Sequence, residues 1–205
     1  MQSEPFKRLI ELVAITGSCN EIACGEVLAD HFAAVLLPHD ETIVLVDKQY
    51  FTDSGRTDIV VIGDRTNLDG TEERLAYVWE LKAPQMCVFK KETNSRVCPS
   101  EELYSAENQL LHYHASIKGS DSFRDRWSIA RHNVKIGGIV IGTQANFIDC
   151  AASERTRTIS FARTALAIRE QTFYSGCGLR LWTWDTVLRA APRLQSSHQR
   201  ISVSE

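Results

Sequence analysis

Two short, continuously apolar segments limit the folds open to this chain. Residues 59–62 and residues 77–79 contain only apolar side chains, whereas a strand with one solvated face alternates apolar and polar ones. Both segments therefore predict strands that are covered on both faces. Asp58 precedes the first segment, and Glu80 and Lys82 follow the second. Charges at the ends of buried strands need a partner or a metal, so this edge of the predicted sheet is a candidate site.

Hydrophobic spacing along the rest of the chain predicts alternating helices and strands. The predicted strands span residues 42–46, 57–62, 75–82, 138–142 and 178–183. The predicted helices span residues 5–15, a segment that starts at the N-cap Ser18 and reaches residue 35, residues 101–117 and residues 156–174, with a short helix after the last strand. This order favours an α/β fold with a mixed central sheet flanked by helices.

Length and composition predict one globular domain. The 205 residues are 43% apolar and 24% charged, which is ordinary for a folded protein. We assign residues 1–192 to the domain and residues 193–205, which are rich in Ser, Gln and His, to a flexible tail. The start of the chain does not resemble a signal peptide and no apolar segment is long enough to span a membrane, so we expect a cytoplasmic protein. The six cysteines show no Cys-x-x-Cys spacing and predict neither a zinc ribbon nor a disulfide framework.

The charged residues at the strand ends match the chemistry of phosphodiester cleavage with magnesium. If the strands flanking residues 63–74 pair as a hairpin, Asp58 and Glu80 meet at one edge. Glu80 and Lys82 share a face because they are two apart, and Leu81 turns into the sheet. Mg2+ is usually held by one or two carboxylates with water and phosphate oxygens. We predict Asp58 and Glu80 as ligands of Mg2+, for which Mn2+ can substitute, with the backbone carbonyl of Leu81 as a further ligand.

Two roles are open to Lys82. Its ammonium could stabilise the charge that develops on the scissile phosphate, or it could orient or deprotonate the attacking water. The alternative for a Glu-x-Lys pattern is a solvated strand face or a cross-strand ion pair worth a few tenths of a kcal/mol. The buried segments next to these charges favour the site.

Several separated segments resemble one family of nucleases. The run from Glu80 to Pro84 is similar to the catalytic strand of the PD-(D/E)XK superfamily with its Lys-x-Pro exit, and within that superfamily the chain resembles the catalytic domain of the Shedu antiphage defence nucleases. Residues 103–113 are similar to the following helix of that family, and Gln109 and Tyr113 match its Gln-x-x-x-Tyr. Residues 137–142 and 179–188 are similar to the next core strand and to the closing element.

This resemblance implies a fold, an activity and further site residues. It implies a restriction-endonuclease-like core in α-β-β-β-α-β order and Mg2+-dependent hydrolysis of DNA by a homo-oligomer that defends against phage or foreign DNA. Gln109 would support catalysis, and Tyr113 would contact nucleic acid. The first core helix of the superfamily often supplies a glutamate, for which Glu21 fits better than Glu26. Thr57 stands where the superfamily often has proline, which removes no ligand.

The charge distribution suggests where nucleic acid would bind. Residues 1–117 hold 10 Lys and Arg against 19 Asp and Glu, whereas residues 118–205 hold 13 against 7. Local basic patches attract phosphate more than net charge does. The segment of residues 85–100 carries Lys90, Lys91 and Arg96, and we predict that it contacts the nucleic-acid backbone; the alternative is a disordered connector.

Two other functions fit the same residues. The chain could be a catalytically silent member of the nuclease fold that serves as a DNA-binding or assembly module. It could also be a restriction-type or repair nuclease with sequence or structure specificity. Because Asp58, Glu80, Lys82 and Gln109 are all present, a metal-dependent DNA endonuclease is the leading hypothesis.

Overall fold

The computed structural model describes residues 2–17, 19–52, 55–93 and 96–201. The helices are α1 Glu4–Ala14, α2 Glu21–His31, α3 Glu101–Gly119, α4 Asp121–Trp127, α5 Arg155–Arg169, α6 Ser175–Cys177 and α7 Trp184–Ile201. The strands are β1 Glu41–Lys48, β2 Phe51–Thr52, β3 Gly55–Arg56, β4 Ile59–Thr66, β5 Glu72–Leu81, β6 Phe89–Lys91, β7 Val97–Pro99, β8 Val134–Val140, β9 Ile148–Asp149 and β10 Arg180–Trp182. Short 3-10 helices cover Ala33–Leu36, Arg131–Asn133 and Ala152–Glu154, and a π-helical turn covers Glu170–Tyr174.

The central sheet has five strands in the order β1-β4-β5-β8-β10. Strands β1, β4 and β5 pair antiparallel, whereas β8 is parallel to both β5 and β10. The tight connection over residues 67–71 suits the antiparallel β4–β5 pair, and the long helical connections suit the parallel pairs. The prediction of an α/β fold with a mixed sheet is confirmed.

Helices cover both faces of this sheet. Ile59, Val61, Trp79 and Leu81 pack against α1, α2 and α7, and the alternate residues of the same strands, such as Val60, pack against α3, α4 and α5. The continuous apolar runs in the sequence are explained by these two hydrophobic cores. Asp58, Glu80 and Lys82 carry even numbers like Val60, so their alternation places them on the α3 side of the sheet. None of the helices in the described part of the chain is long and apolar enough to span a membrane.

The helix predictions are right in position and wrong at several ends. The predicted N-cap Ser18 lies outside the described residues, and α2 stops at His31, not at residue 35. Phe32 leaves helical geometry there, and its buried ring packs at 6.0 Å from the ring of Phe6. The predicted helix over residues 156–174 is α-helical to Arg169 and then widens into the π-helical turn.

The described residues of the segment 85–100, namely 85–93 and 96–100, include the strands β6 and β7 and are not a disordered connector. Strands β6 and β7 make a hairpin, and β9 adds a third strand to it. Val88 and Phe89 are fully buried, and the ring of Phe89 lies 5.4 Å from that of Phe147. The apolar side chains of this segment are few: the short run 86–89 is followed by the charged and polar run 90–96, which is why composition alone suggested a loop.

The end of the chain also differs from the prediction over part of its length. The helix α7 continues to Ile201, so residues 193–201 extend it instead of forming an irregular tail, and residues 202–205 lie outside the described part. Ser, Gln, His and Arg are tolerated in helices, so a polar composition did not exclude this continuation. The described cysteines are all free thiols, and Cys24 is the buried one.

A β-bulge at Gly137 and Gly138 lets β5, which carries Trp79, and β10, which carries Trp182, lie close to β8. The β5–β8 register shifts between Val78 and Trp79, and Trp79 pairs with Gly138. A Cβ on Gly138 would overlap the carbonyl oxygen of Arg180 in β10, and a Cβ on Gly137 would overlap the indole of Trp79. Glycine is required at both positions because neighbouring atoms already fill the space.

Substitution of Gly138→Ala is therefore expected to destabilise the protein by about 3 kcal/mol or more, because backbone and a buried indole must both move. Gly119→Ala is the matched control, since no atom lies within 4 Å of its added Cβ. We expect the control to stay within about 1 kcal/mol of wild type. Urea unfolding of both variants checks this, and equal midpoints for the two would contradict the close approach of β10.

Candidate active site

Asp58 and Glu80 meet at the end of the β4–β5 hairpin. Ile59 pairs with Trp79, so continuing the antiparallel register by one residue places Asp58 opposite Glu80. The two carboxyl groups are close enough for each to change the ionisation of the other. The hairpin and the convergence predicted from the sequence are therefore present. Glu80 is 3% exposed, so this is a carboxylate pair withdrawn from water.

The backbone of β5 holds Asp58 in place. The amide of Leu81 donates a hydrogen bond of 2.7 Å to the Asp58 Oδ2 atom. The Leu81 side chain turns to the opposite face and is 2% exposed. Leu81 thus holds the Asp58 carboxylate with its amide, while its side chain packs in the hydrophobic core.

Lys82 completes the charged edge. Its Nζ atom lies 2.7 Å from Glu80 Oε1 and forms a half-buried ion pair with it. The main chain at Lys82 is fixed on both sides: its amide donates to the carbonyl of Val140 at 2.8 Å, and its carbonyl accepts a 2.8 Å hydrogen bond from the indole of Trp184. Trp184 is fully buried.

Helix α2 brings a third carboxylate to the same edge. Glu21 is the first residue of α2, and its ionisation depends on Lys82, on Asp58 and on a hydrogen bond from the backbone amide of Ala83. Helix α2 approaches β5 closely at Gly25, where an added Cβ would lie 3.0 Å from Leu81 Cδ1. Glu26 is exposed and lines the neighbouring cavity. Of the two glutamates considered in the sequence, Glu21 is the one that interacts electrostatically with the pair.

Helix α3 places Tyr113 and Gln109 on the sheet face that carries the charges. The phenol of Tyr113 is within electrostatic range of Glu80, Asp58 and Lys82, and burial together with the two carboxylates raises its pKa. Gln109 lies one helical turn earlier, and its buried Oε1 atom has no hydrogen-bond partner among the described residues. Its role as a supporting residue stays a prediction.

Burial and mutual repulsion dominate the ionisation of this cluster. Burial, and then the nearby Asp58, raise the pKa of Glu80 to about 8 despite the opposing effect of Lys82. Burial also raises the pKa of Asp58 and of Glu21, each against the attraction of Lys82. Burial alone would lower the pKa of Lys82, but Glu80, Glu21 and Asp58 together raise it above its ordinary value. The cluster holds more negative groups than its one ammonium can balance.

The residues present suit a divalent cation that takes only part of its ligands from protein. Across the described residues, no three His, Cys, Asp or Glu side chains lie together in a group that could hold a metal ion, so Asp58, Glu80 and Glu21 do not form a three-carboxylate ligand set. Mg2+ needs only one or two carboxylates with water and phosphate oxygens. The buried Oε2 atom of Glu80 has no hydrogen-bond partner in the described structure, which is costly unless a cation or proton satisfies it. Asp58 and Glu80 would hold the metal.

The predicted nucleic-acid contacts on residues 85–100 are engaged in ion pairs. Lys90 pairs with Glu101 at 3.2 Å, Lys91 with Glu154 at 2.6 Å and Arg96 with Glu92 at 3.6 Å. All three cations belong to the hairpin of β6 and β7 and its tip, and no contact joins them to Asp58, Glu80 or Lys82. Their binding to nucleic acid stays a prediction.

Sequence reasoning missed Trp184, Gln49 and Arg56. Gln49 and Arg56 line a cavity of about 230 Å3 that also reaches Asp58 and Glu21. Local patterns could not show this, because Gln49 follows β1 and Arg56 lies in the two-residue strand β3. The similarity at residues 179–188 marked the segment that contains Trp184 but not the role of its indole.

Comparison with protein-family models and with curated proteins found no match to this sequence.

The raised pKa of Glu80 predicts an unusual pH dependence of stability in metal-free protein. Between its ordinary value of 4.5 and about 8 the folded state retains a proton that the unfolded state has released, so the free energy of unfolding falls as pH rises through this window. Glu80→Gln removes this dependence, and we expect a shallower pH profile and at pH 8 a gain of at least about 1 kcal/mol. Urea unfolding in EDTA at several pH values measures both; parallel profiles would contradict the buried carboxylate pair.

The indole bond to Lys82 predicts that Trp184→Phe costs about 2–4 kcal/mol, from the smaller ring in a filled core and from a buried carbonyl left without its donor. Trp127→Phe is the control, because the Trp127 Nε1 atom makes no hydrogen bond within the described residues. Chemical unfolding of the two variants compares the costs. A Trp184 variant no less stable than the control would show that the indole bond does not matter.

Proposed function

We propose that this protein is a Mg2+-dependent endonuclease that hydrolyses DNA phosphodiesters at the edge formed by Asp58, Glu80 and Lys82. One observation carries the proposal: a buried carboxylate pair, one oxygen of which has no partner in the described structure, lies beside an ammonium at 2.7 Å. An ordinary edge-strand ion pair would be solvated and charge-balanced. The Glu80–Lys82 pair is shielded from solvent, and Asp58 beside it adds a negative charge that no second ammonium in the described part of the chain balances.

Each residue has a role that follows from its position. Asp58 and Glu80 would hold Mg2+, for which Mn2+ can substitute; when bound, the ion would supply activation of water and neutralisation of charge on the scissile phosphate. The Leu81 amide orients Asp58, and the adjacent Leu81 carbonyl is a candidate further ligand. Glu21 adds negative charge at the same edge, but the three carboxylates do not form one ligand group in the described structure, so Glu21 would act on the ion through its charge.

Lys82 acts on the phosphate as a cation. Its pKa lies above the ordinary lysine value, so it keeps its proton near neutral pH and is a poor base. Of the two roles open to it, stabilisation of the charge that develops on the phosphate is favoured over deprotonation of water. Gln109 and Tyr113, on the facing helix, support the substrate through hydrogen bonds.

The arrangement of elements supports a nuclease-like core. Without the short strands, the short helix α4 and the 3-10 segments, α2, β1, β4, β5, α3 and β8 follow one another in the α-β-β-β-α-β order of the PD-(D/E)XK superfamily, and the central sheet is mixed. The Shedu-like role in defence against phage or foreign DNA and the homo-oligomeric state belong to the proposal through the motif resemblance alone. The cytoplasmic location also stays a proposal, and it comes from the sequence expectations and not from this resemblance.

The activity is tested with purified protein on supercoiled plasmid in Mg2+, in Mn2+ and in EDTA. Wild type is expected to nick or linearise the plasmid only with a metal ion. Asp58→Asn and Lys82→Ala should each lower the rate at least about 100-fold, because each removes a group that faces the reacting phosphate. Lys7→Ala is the matched control, since that lysine pairs with Glu4 on the exposed face of α1.

Circular dichroism of each variant shows whether its fold is intact. Cutting retained in both folded site variants would overturn the mechanism. Absence of cutting by wild type, with DNA still bound and no metal bound in a titration, would instead favour the silent DNA-binding or assembly module. A discrete pattern of cut positions would favour a restriction-type or repair nuclease.

A further inference from the structure

A cavity of about 230 Å3 opens beside Asp58, on the β1 side of the carboxylate pair. Its lining includes the α2 glutamates Glu21 and Glu26 and also hydrogen-bond donors from Lys48, Gln49 and Arg56. A metal-bound phosphodiester in this cavity would therefore meet both negative charge and donors.

Gln49 has an uncommon backbone conformation for its type. Its φ angle is +59°, in the left-handed region that glycine adopts readily and other residues only at a cost of about 1–2 kcal/mol. Among the described non-glycine residues only Ser128 shares this feature, and Ser128 forms the C-cap of α4, where a left-handed residue is common. Gln49 terminates no helix, so its conformation has another reason.

The left-handed turn at Gln49 keeps the main chain paired next to Asp58. The Gln49 amide donates to the carbonyl of Asp58 at 3.0 Å, and the Thr57 amide donates to the carbonyl of Tyr50 at 3.0 Å. The chain bends between these bonds from β1 into β2. Glycine would adopt this left-handed conformation at a lower free-energy cost. The backbone geometry alone therefore does not explain why a glutamine occupies the position.

The Gln49 side chain is half-buried, lines the cavity and makes no hydrogen bond to the described residues. Its amide offers two donors and one acceptor without net charge. A strained residue that presents an unengaged polar group beside a carboxylate pair is typical of ligand-binding positions.

Arg56 supplies a positive charge to the same cavity. It lies in β3, is exposed and forms no ion pair with the described residues, whereas Lys48 pairs with Asp30 at 2.6 Å. Strand β3 is seated against α3, because an added Cβ on Gly55 would lie 3.3 Å from the ring of Tyr113. The guanidinium therefore sits on a supported strand between the cavity and α3.

We infer that Gln49 and Arg56 form the substrate-binding wall of this site: Arg56 contacts a DNA phosphate, and Gln49 makes a neutral hydrogen bond to the same strand. The inference depends on the proposed nuclease function and adds to it the side from which the strand enters. It also gives the acidic site a donor group and a positive charge for a polyanion, because Gln49 and Arg56 line the same cavity as Asp58 and Glu21.

The two contacts have different signatures in salt titrations. Loss of one phosphate contact reduces the slope of log affinity against log salt by about 0.9, whereas loss of a neutral hydrogen bond lowers affinity without changing the slope. We expect Arg56→Gln to reduce the slope by this amount. Gln49→Gly should weaken binding about 2- to 10-fold with an unchanged slope.

Binding is measured by fluorescence anisotropy of a labelled DNA duplex with the full chain, with Ca2+ in place of Mg2+. Thermal unfolding of Gln49→Gly is measured beside it and should be unchanged or shifted upward, because glycine relieves the left-handed strain. Ser128→Gly is the matched control: it relieves the same kind of strain outside the cavity and should leave DNA binding at the wild-type level.

Wild-type affinity and slope in both variants, with wild type still cutting plasmid, would overturn this inference and leave the proposed function standing. A lowered unfolding temperature for Gln49→Gly would assign the side chain to packing and would also overturn its role. A wild-type protein that neither cuts plasmid nor binds the duplex would overturn the proposed function, and this inference with it.

Discussion

The hydrogen bond between the Leu81 amide and the Asp58 carboxylate is the contact on which the candidate site depends. It joins the ends of β4 and β5 in the register that places Asp58 opposite Glu80. Because side chains alternate along a strand, a slip of one residue would send one carboxylate to the opposite core. The apolar residues on both faces oppose this slip, because it would move Ile59 and Val60 out of the cores in which they are packed.

The same burial that fixes the register makes the site electrostatically unfavourable. Glu80 is buried and Asp58 and Glu21 are half-buried, with a single ammonium among them, and each carboxyl has a raised pKa. A proton on Glu80 or a cation relieves this imbalance. This edge of the sheet therefore favours binding of a positive charge. The stability of the two hydrophobic cores offsets the unfavourable free energy of holding these carboxylates close together.

Surrounding elements give the charged edge its shape. The indole of Trp184 and the carbonyl of Val140 fix the main chain at Lys82, and the close approach at Gly25 brings the first turn of α2 to the site. The turn at Gln49 and the short strand of Arg56 line the same cavity. Acidic and donor groups therefore meet in one cavity beside Asp58.

The sequence by itself determined the central strands, the pairing of Asp58 with Glu80 and the shared face of Glu80 and Lys82, because strand periodicity and a hairpin are local properties of the chain. Only the tertiary structure decided that residues 85–100 fold as a hairpin in a small sheet and that Glu21 reaches the pair. It also decided that the indole of Trp184 holds a residue 102 positions earlier and that Gln49 faces a cavity. These features arise from contacts between distant segments, whose positions are set by how the two cores pack and not by local spacing.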